Sequence, residues 1–351
     1  MSLPSRPKRC SRPRRLLWGL FSSLAALSTL SFLLSGGHEV LLSHSLPYVL
    51  PGGGHPIGTP LLPSADAFLL LPRPEACTPR APSLLVLVAS APGHDTRRQA
   101  IRATWGGTHW AGELTVRTFF ALGVPSEPQL QAALEGEAAE HGDLIQGRFL
   151  DTYANLTLKT LALLGWAVTH CPGALFLAKV DDDVFLNLPT LAEELGRRAT
   201  LEPAYLGRIH WHVWPNRDPR NRHHVPATLY PGGSFPPYCS GSAYILSGAA
   251  VPALLGTARQ VPLVPLEDVF VGLCAHRAGI VPQHLTHMAG ATHLPVDPCC
   301  YRRVLFSVHG VSPQDMVAAW DAAAPHEEVC SLWQRALGIL RCKALTWMAA
   351  L

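Results

Sequence analysis

Charged side chains are scarce in this sequence of 351 residues. Asp, Glu, Lys and Arg make up 15% of it, against about 25% in an average soluble domain. With a mean hydropathy of +0.16, this deficit excludes a disordered chain and a charged tail protein. No acidic residue occurs in the first fifteen positions, which hold six of the 28 basic residues. The remaining 22 basic side chains face 25 acidic ones, so no basic surface is left to bind nucleic acid.

Two further absences narrow the class of protein. The nine cysteines include no Cys-x-x-Cys pair, which disfavours a structural zinc site. No tandem repeat occurs, so a solenoid is excluded.

An uncharged run near the N-terminus indicates a membrane anchor. Residues 16–34 (LLWGLFSSLAALSTLSFLL) carry no charge, and at ~1.5 Å per residue they span about 28 Å, close to the hydrocarbon thickness of a bilayer. All the nearby positive charge precedes this run, so residues 1–15 are expected in the cytosol and the rest in the lumen. The alternative is a cleaved signal peptide, whose apolar region is normally ~7–15 residues long.

The remainder divides into a stem and a folded domain. Residues 35–82 are rich in Pro and Gly and are predicted to form a linker, which leaves residues 83–351 as a lumenal domain. Asn155-Leu156-Thr157 is an acceptor for N-glycosylation. Eight cysteines lie on the lumenal side, an even number that predicts disulfides. We expect the adjacent Cys299 and Cys300 to bond to different distant partners.

Apolar runs alternate with amphipathic segments in the first half of this domain. Strands are predicted at Ser83–Ser90, Thr115–Leu122 and Ala174–Val180, and helices over residues 94–105, 129–141 and 156–170. Helices are also expected near residues 247–257, 265–279 and 331–351. This alternation is typical of an α/β sheet with parallel strands, in which ligands bind at the carboxyl ends of the strands.

Three adjacent carboxylates follow the third predicted strand. Asp181, Asp182 and Asp183 would repel one another unless a hard cation such as Mn²⁺ or Mg²⁺ lay between them. Such a cation can neutralise the charge of a diphosphate. The alternative is a solvated acidic loop or helix cap.

Other candidate residues are individually ambiguous. Arg98 and Arg102 share a helix face and suit a nucleotide phosphate, or form a solvated basic face, while Trp105 is more typical of a core. Asp268, in Leu266-Glu267-Asp268-Val269-Phe270, suits a general base or a helix N-cap. His309 suits a metal ligand or a core histidine.

The motif series as a whole resembles the β-1,3-glycosyltransferases of glycosyltransferase family 31. The resemblance rests on RRQAIRATWG, DTYANLTLKT, FLAKVDDDVF, PPYCSGSAYILS, PLEDVFVG and SVHGVSPQDM, and runs from about Ser83 to Trp347. Within the family, HWHVWP, DPCCY and ALGILRCKALTW are most similar to enzymes that add galactose to a terminal GalNAc on gangliosides.

The resemblance implies a GT-A fold in the Golgi lumen, a Rossmann-like mixed sheet carrying an Asp-x-Asp motif. It also implies UDP-galactose as donor, Mn²⁺ as cofactor, inversion at the anomeric carbon, and assembly with itself or other Golgi glycosyltransferases. The implied roles are a catalytic base at Asp268, metal ligation by Asp183 and His309, and donor binding by Arg98, Arg102, Trp105, Asp181 and Asp182.

The sequence departs from the family pattern at two places. Val180 stands where Thr or Ala is more usual, but it is expected to point into the core and has little effect on the interpretation. Ser242-Ala243 lies in a loop that is often richer in glycine and is expected near the donor or acceptor, so it bears on the acceptor. The alternatives are a relative with another donor or acceptor, such as GlcNAc transfer or a glycoprotein or proteoglycan acceptor, and a silent lumenal chaperone or lectin.

One disulfide is predicted beside this site. Cys239 precedes the predicted strand SAYILS, and Cys274 lies in the helix that follows Asp268. Because both should flank the site, we predict that they pair.

Overall fold

The computed structural model describes eight stretches of the chain: residues 12–34, 38, 41–42, 63–78, 80–198, 202–290, 294–324 and 330–349. Most of the stem predicted at residues 35–82, and residues 1–11 of the predicted cytosolic tail, lie outside the described residues.

Eleven strands occur in the described residues. They are β1 (Phe68–Leu70), β2 (Leu84–Ala89), β3 (Trp110–Ala111), β4 (Leu114–Val124), β5 (Leu144–Leu150), β6 (Phe176–Asp181), β7 (Val184–Leu186), β8 (Tyr205–His210), β9 (Tyr238–Ser247), β10 (Pro282–His284) and β11 (Ser307–His309). Among the α-helices of the same stretches are α1 (Arg12–Leu34), α2 (Asp95–Ala103), α3 (Pro128–His141), α4 (Leu156–His170), α5 (Leu188–Gly196), α6 (Ala250–Thr257), α7 (Glu267–Arg277), α8 (Pro313–Ala323) and α9 (Leu332–Ala349).

Nine of these strands form one mixed sheet in the order β1-β5-β4-β2-β6-β9-β8-β10, with β3 attached to β4. The four central strands β5, β4, β2 and β6 are parallel, as the alternation predicts. Strand β9 runs antiparallel to β6 and β8, which gives the mixed sheet that the family resemblance implies. A small second sheet pairs β11 with β7.

Strand β2 shows why the sheet lies at the centre of the molecule. All six of its residues are buried, and alternate side chains enter different cores. Leu84, Val86 and Val88 pack on one face, whereas Leu85 and Leu87 pack on the other. A strand covered on both faces requires this uninterrupted apolar run. Because β2 runs parallel to its neighbours β4 and β6, the carboxyl ends of the three strands lie side by side.

The folded unit begins earlier than the predicted boundary at Ser83. Strand β1 pairs antiparallel with β5 at the edge of the sheet, and a disulfide joins Cys77 to Cys171 at the end of α4. The sequence did not reveal this strand, because it is only three residues long and lies in a Pro-rich segment. We therefore place the start of the folded domain near residue 65.

The disulfides confirm one cysteine prediction and contradict another. Cys299 bonds to Cys330, and Cys300 bonds to Cys342, so the adjacent pair does reach two distant partners. The predicted bond between Cys239 and Cys274 is wrong, since both are buried free thiols. Cys239 faces Gly207 of the neighbouring strand, while Cys274 faces Thr257 of α6, so the two side chains have different neighbours.

We expect a non-reducing peptide map of the folded protein to show the bonds 77–171, 299–330 and 300–342. Cys239 and Cys274 should react with iodoacetamide only after unfolding, because both are buried and burial raises the pKa of the Cys274 thiol to about 12. Recovery of a linked 239–274 peptide would contradict this assignment.

Candidate active site

Asp181, Asp183 and His309 form a cluster at the carboxyl end of β6. One ligand atom from each of them lies within 4.8 Å of the other two. Pairing of β11 with β7 sets His309 opposite Val184, so its Nε2 lies 3.4 Å from Oδ1 of Asp183. Two carboxylate oxygens and one imidazole nitrogen suit Mn²⁺ or a similar divalent cation. The structure thus brings together Asp183 and His309, the metal ligands that the resemblance implies, and adds Asp181.

The charges within this cluster support one another. Burial raises the pKa of Asp183, but the hydrogen bond and positive charge of His309 outweigh burial and hold that pKa below its usual value. The same hydrogen bond raises the pKa of His309. A bound cation would replace the proton of His309 and use the same carboxylate.

Asp182 points away from the cluster. Its buried carboxylate accepts hydrogen bonds from the Ser90 hydroxyl at 2.7 Å and from Nη1 of Arg97 at 3.1 Å. Nδ1 of His94 lies 2.8 Å from the same carboxylate. Asp182 therefore ties the acidic loop to the segment that joins β2 to α2, and these contacts leave it little room to bind the donor directly.

Arg98 and Arg102 support the site from within the protein. The Arg98 side chain is fully buried and pairs with Glu137 at 2.7 Å. Arg102 pairs with the same Glu137 at 2.7 Å and with Asp143 at 2.8 Å. Arg98 also donates to the carbonyl of Ala91 at 2.7 Å. Their charges are already neutralised, so the expectation that these arginines grip a phosphate is not met in this arrangement.

Trp105 also lies in the core. Its side chain is fully buried, and its indole N–H donates to the sulfur of Met316 on α8 at 3.2 Å. The donor-binding role implied for Trp105 therefore has no geometric support, and the core interpretation fits instead.

The arginine that does reach the cluster is Arg97. It lies 3.1 Å from Asp182 and 3.6 Å from Asp183, with a third of its side chain exposed. The sequence pattern favoured Arg98 and Arg102 instead, because they are four residues apart and share a helix face. That spacing was a real signal, but it marked the buried face of α2.

A second acidic pair opens α7 on the other side of the same edge. Glu267 is buried and accepts a hydrogen bond from the Tyr244 hydroxyl at 2.8 Å. Burial, together with the charges of Asp268 and Asp181, raises the pKa of Glu267 to about 7. Nζ of Lys179 lies 3.7 Å from Glu267 and donates to Asp181 at 2.7 Å. Lys179 thereby connects the metal cluster to the start of α7.

Asp268 lies half-buried beside Glu267. Its Oδ2 accepts from the backbone N–H of Gly241 at 3.1 Å, and its Oδ1 accepts from the N–H of Val269 at 2.8 Å. A Cβ at position 241 would lie 3.2 Å from the Cβ of Asp268, so this close approach favours glycine. The N-cap residue of α7 is Leu266 and not Asp268, so the helix-capping interpretation is wrong and the contact with Val269 lies within the first turn. The exposed part of the carboxylate is compatible with a catalytic base.

Tyr153 stands at the rim near these carboxylates. It is 44% exposed, and the guanidinium of Arg222 lies 5.4 Å from the centre of its ring. Burial raises the pKa of the Tyr153 hydroxyl, and the negative charges of Asp268, Asp181 and Glu267 add to the increase. Nothing in the sequence pattern singled out Tyr153, although it lies in the DTYANLTLKT motif.

Asn155 follows this tyrosine at the start of α4. It is partly exposed, and its side-chain amide donates to the carbonyl of Leu150 at 2.8 Å. Its glycosylation stays a prediction.

Replacing Glu137 with Gln should destabilise the protein, because it leaves Arg98 buried without a counter-charge. We expect the free energy of unfolding at pH 7 to fall by about 3–5 kcal/mol, measured by chemical denaturation. Burial raises the pKa of Glu137, but Arg98 and Arg102 outweigh burial and lower it below its usual value of 4.5. The ionised form therefore stabilises the wild type fully at any pH well above that usual value.

The lowered pKa of Glu137 also determines how the effect of this substitution depends on pH. This contribution is lost as the pH falls through the lowered pKa of the folded state, so wild type and variant should converge in more acidic solution. Glu135→Gln on the exposed side of the same helix should change the stability by less than about 0.5 kcal/mol. Equal effects of the two substitutions would show that the ion pair between Glu137 and Arg98 does not contribute to the free energy of unfolding.

Comparisons with known proteins identify the family of this chain. A family model described as galactosyltransferase matches residues 96–286. Human β-1,3-galactosyltransferase 4 is 42% identical, over 90% of this chain and 93% of that protein. The human acetylgalactosaminyl-O-glycosyl-glycoprotein β-1,3-N-acetylglucosaminyltransferase is 39% identical, over 72% of this chain and 70% of its own length.

Among solved structures, the galactosyltransferase LgtC in complex with donor and acceptor sugar analogues matches 75% of this chain and 95% of its own. The identity is 8% and the TM-score 0.33, which makes this likeness a distant one. The family model covers both the acidic cluster at the end of β6 and the carboxylates that open α7. The match to the family model and the 42% identity over 90% of this chain show that the chain belongs to the galactosyltransferase family.

Proposed function

We propose that this enzyme transfers galactose from UDP-galactose to the 3-hydroxyl of a terminal GalNAc, with inversion, and that its acceptors are glycosphingolipids of the ganglioside type. The observation that carries the proposal is the placement of two acidic groups at one sheet edge. The cluster Asp181, Asp183 and His309 lies on one side, and Asp268 lies on the other, hydrogen-bonded to Gly241. Lys179 connects the two sides, since its ammonium donates to Asp181 and to the carbonyl of Gly241.

A metal ion fits this cluster. Asp181, Asp183 and His309 would hold it, since their ligand atoms already converge within 4.8 Å and match the preferences of Mn²⁺. When bound, such an ion supplies charge neutralisation for the diphosphate of the donor. Arg97 lies beside the same carboxylates and adds a positive charge from the protein itself.

In this proposal Asp268 acts on the acceptor. Two backbone N–H groups hold its carboxylate, and the charged form can accept the proton of an incoming hydroxyl. The acceptor oxygen then attacks the anomeric carbon from the face opposite to the departing UDP. A single displacement needs no nucleophile from the protein, and it inverts the configuration.

We also propose a location and a topology for the enzyme. Residues 17–34 of α1 form a helix long and apolar enough to cross a membrane, and none of this span is buried inside the folded chain. The basic residues precede it, so a single-pass type II anchor in the Golgi membrane is the arrangement we expect, with the catalytic domain in the lumen.

A second candidate is transfer of GlcNAc instead of galactose. It is favoured by the 39% identity to the human N-acetylglucosaminyltransferase named above. A matrix of UDP-sugar donors against GalNAc-, GlcNAc- and xylose-terminated acceptors separates the two. Galactose transfer to GalNAc acceptors is expected to be the fastest combination, and faster transfer of GlcNAc would overturn the proposal.

Metal removal should abolish transfer. We expect EDTA to stop the reaction and Mn²⁺ to restore it, because two carboxylates and an imidazole form the cluster. Asp183→Ala and His309→Ala should each weaken Mn²⁺-dependent UDP binding at least about tenfold, measured by calorimetry. UDP affinity without metal serves as the control and should change little. Wild-type UDP affinity in both variants would disprove the metal assignment.

The base is tested by Asp268→Asn, which keeps the shape of the side chain and removes its basicity. General-base help is worth roughly 10²–10⁴ in rate, so we expect transfer to fall at least ~100-fold while donor affinity stays nearly unchanged. Glu267→Gln should cost less, because Glu267 is buried against Tyr244 and Lys179.

A purely structural role of Asp268 predicts a different outcome. The amide oxygen of asparagine can still accept the hydrogen bond from Val269, so an Asp268 that only stabilises the first turn of α7 would leave the rate of Asp268→Asn near that of the wild type. Turnover and UDP-galactose affinity should be measured on the same folded variant. A rate within ~10-fold of the wild type would remove Asp268 from the mechanism.

A further inference from the structure

The C-terminal helix α9 exposes a patch of large apolar side chains. Leu332 and Trp333 are 81% and 82% exposed, and Leu337 is 50% exposed. Trp333 and Leu337 are four residues apart and lie on one helix face. Single exposed apolar residues are ordinary, but three of them within two turns form a contiguous surface that usually contacts something. We call these three residues the α9 patch.

The patch is firmly fixed to the catalytic domain. A disulfide from Cys330 to Cys299 holds the start of the segment, and another joins Cys342 to Cys300. Arg341 forms an ion pair with Asp297 at 2.7 Å. Beyond the kink at Gly338, where φ is +44°, the helix turns apolar side chains into the core. The part before the kink therefore presents its own apolar residues outward.

The same helix touches the membrane anchor. Nζ of Lys343 donates to the backbone carbonyl of Leu34, the last residue of α1, at 3.0 Å. The lumenal end of the anchor is where the bilayer surface begins. This contact brings the end of α1, and with it the bilayer surface, to the helix that carries the α9 patch.

The composition of α9 fits an interfacial helix. Between residues 331 and 351 there is no acidic residue, while Arg335, Arg341 and Lys343 are basic and two tryptophans are present. Tryptophan and basic residues concentrate where protein meets the polar region of a bilayer. Helices that lie in that region combine such residues with leucine.

We propose that the α9 patch docks on the lumenal leaflet of the bilayer that α1 spans. Docking would hold the folded domain at the bilayer surface, where a glycolipid presents its short sugar headgroup. The inference rests on the proposed glycolipid acceptor and on the proposed anchoring. It predicts that the patch matters for acceptors embedded in the bilayer and not for the chemical step.

The kinetic test uses the full-length chain reconstituted in liposomes. Transfer is measured to a GalNAc-terminated glycolipid in the same liposomes and to a soluble oligosaccharide with the same terminal sugars. Trp333→Ser/Leu337→Ser should lower transfer to the glycolipid at least about fivefold, because docking raises the effective concentration of that acceptor. Transfer to the soluble oligosaccharide should stay within about twofold of the wild type.

The matched control is Leu175→Ser/Leu263→Ser. These leucines are 42% and 50% exposed and lie just before β6 and α7 in the chain. The control should leave both activities unchanged. An equal loss on both acceptors in the patch variant would show a structural defect, and no loss on the glycolipid would show that the patch does not dock. Either result overturns the proposal.

A direct measurement separates this inference from the proposed function. The fluorescence of Trp333 is obtained by subtracting the spectrum of Trp333→Phe from that of the wild type. That signal should be quenched in liposomes of lipid brominated near the headgroup and not in unbrominated lipid. If the wild type transfers galactose to neither acceptor but the quenching is present, the proposed function fails and docking stands.

Absence of quenching overturns docking even if transfer is observed. Loss of a chemical crosslink between chains in the patch variant, with Trp333 unquenched, would assign the α9 patch to a second copy of the chain instead.

Discussion

The buried ammonium of Lys179 is the interaction on which the arrangement of the site depends. It projects from the central strand β6, donates to Asp181 and to the carbonyl of Gly241, and lies 3.7 Å from Glu267. Burial alone would lower its pKa, but the charges of Asp181 and Glu267 outweigh burial and raise it well above the usual value. One cation thus joins the metal cluster, the β9 segment and the start of α7. Without it, two carboxylates would lie close together with no counter-charge, an arrangement that costs several kcal/mol.

This bridge also explains why neighbouring acidic residues behave differently. Glu267 lies next to the ammonium and under the Tyr244 hydroxyl, so it stabilises the site from within. Asp268 is held instead by N–H groups of the backbone. In the acidic loop the same division occurs, because Asp182 faces inward to Ser90 and Arg97 while Asp181 and Asp183 face His309. In both places one carboxylate is buried against side chains of the fold, and its neighbours are left partly exposed.

Part of this could be predicted from the sequence, and the physical reasons are specific. An apolar run that ends in three aspartates can only place them at a strand end, so the position of the cluster followed from local pattern. His309 is far away in the chain, and only the motif resemblance connected it to Asp183. The choice between Arg97 and Arg98 depended on which face of α2 meets Glu137, and that is a tertiary contact. The sequence could not show that Cys239 and Cys274 stay free for the same reason, since each thiol packs against a different element.

The short strand β1 has a consequence for how the domain can be shortened. It covers the outer edge of β5, and unpaired strand edges promote association between chains. Nearby, Cys77 keeps Cys171 oxidised. A fragment cut at Ser83 would therefore bare the hydrogen-bonding groups of β5 and leave a reactive sulfur at the end of α4. The end of the predicted stem, from β1 at Phe68–Leu70 onward, therefore cannot be separated from the sheet and forms the border of the folded protein.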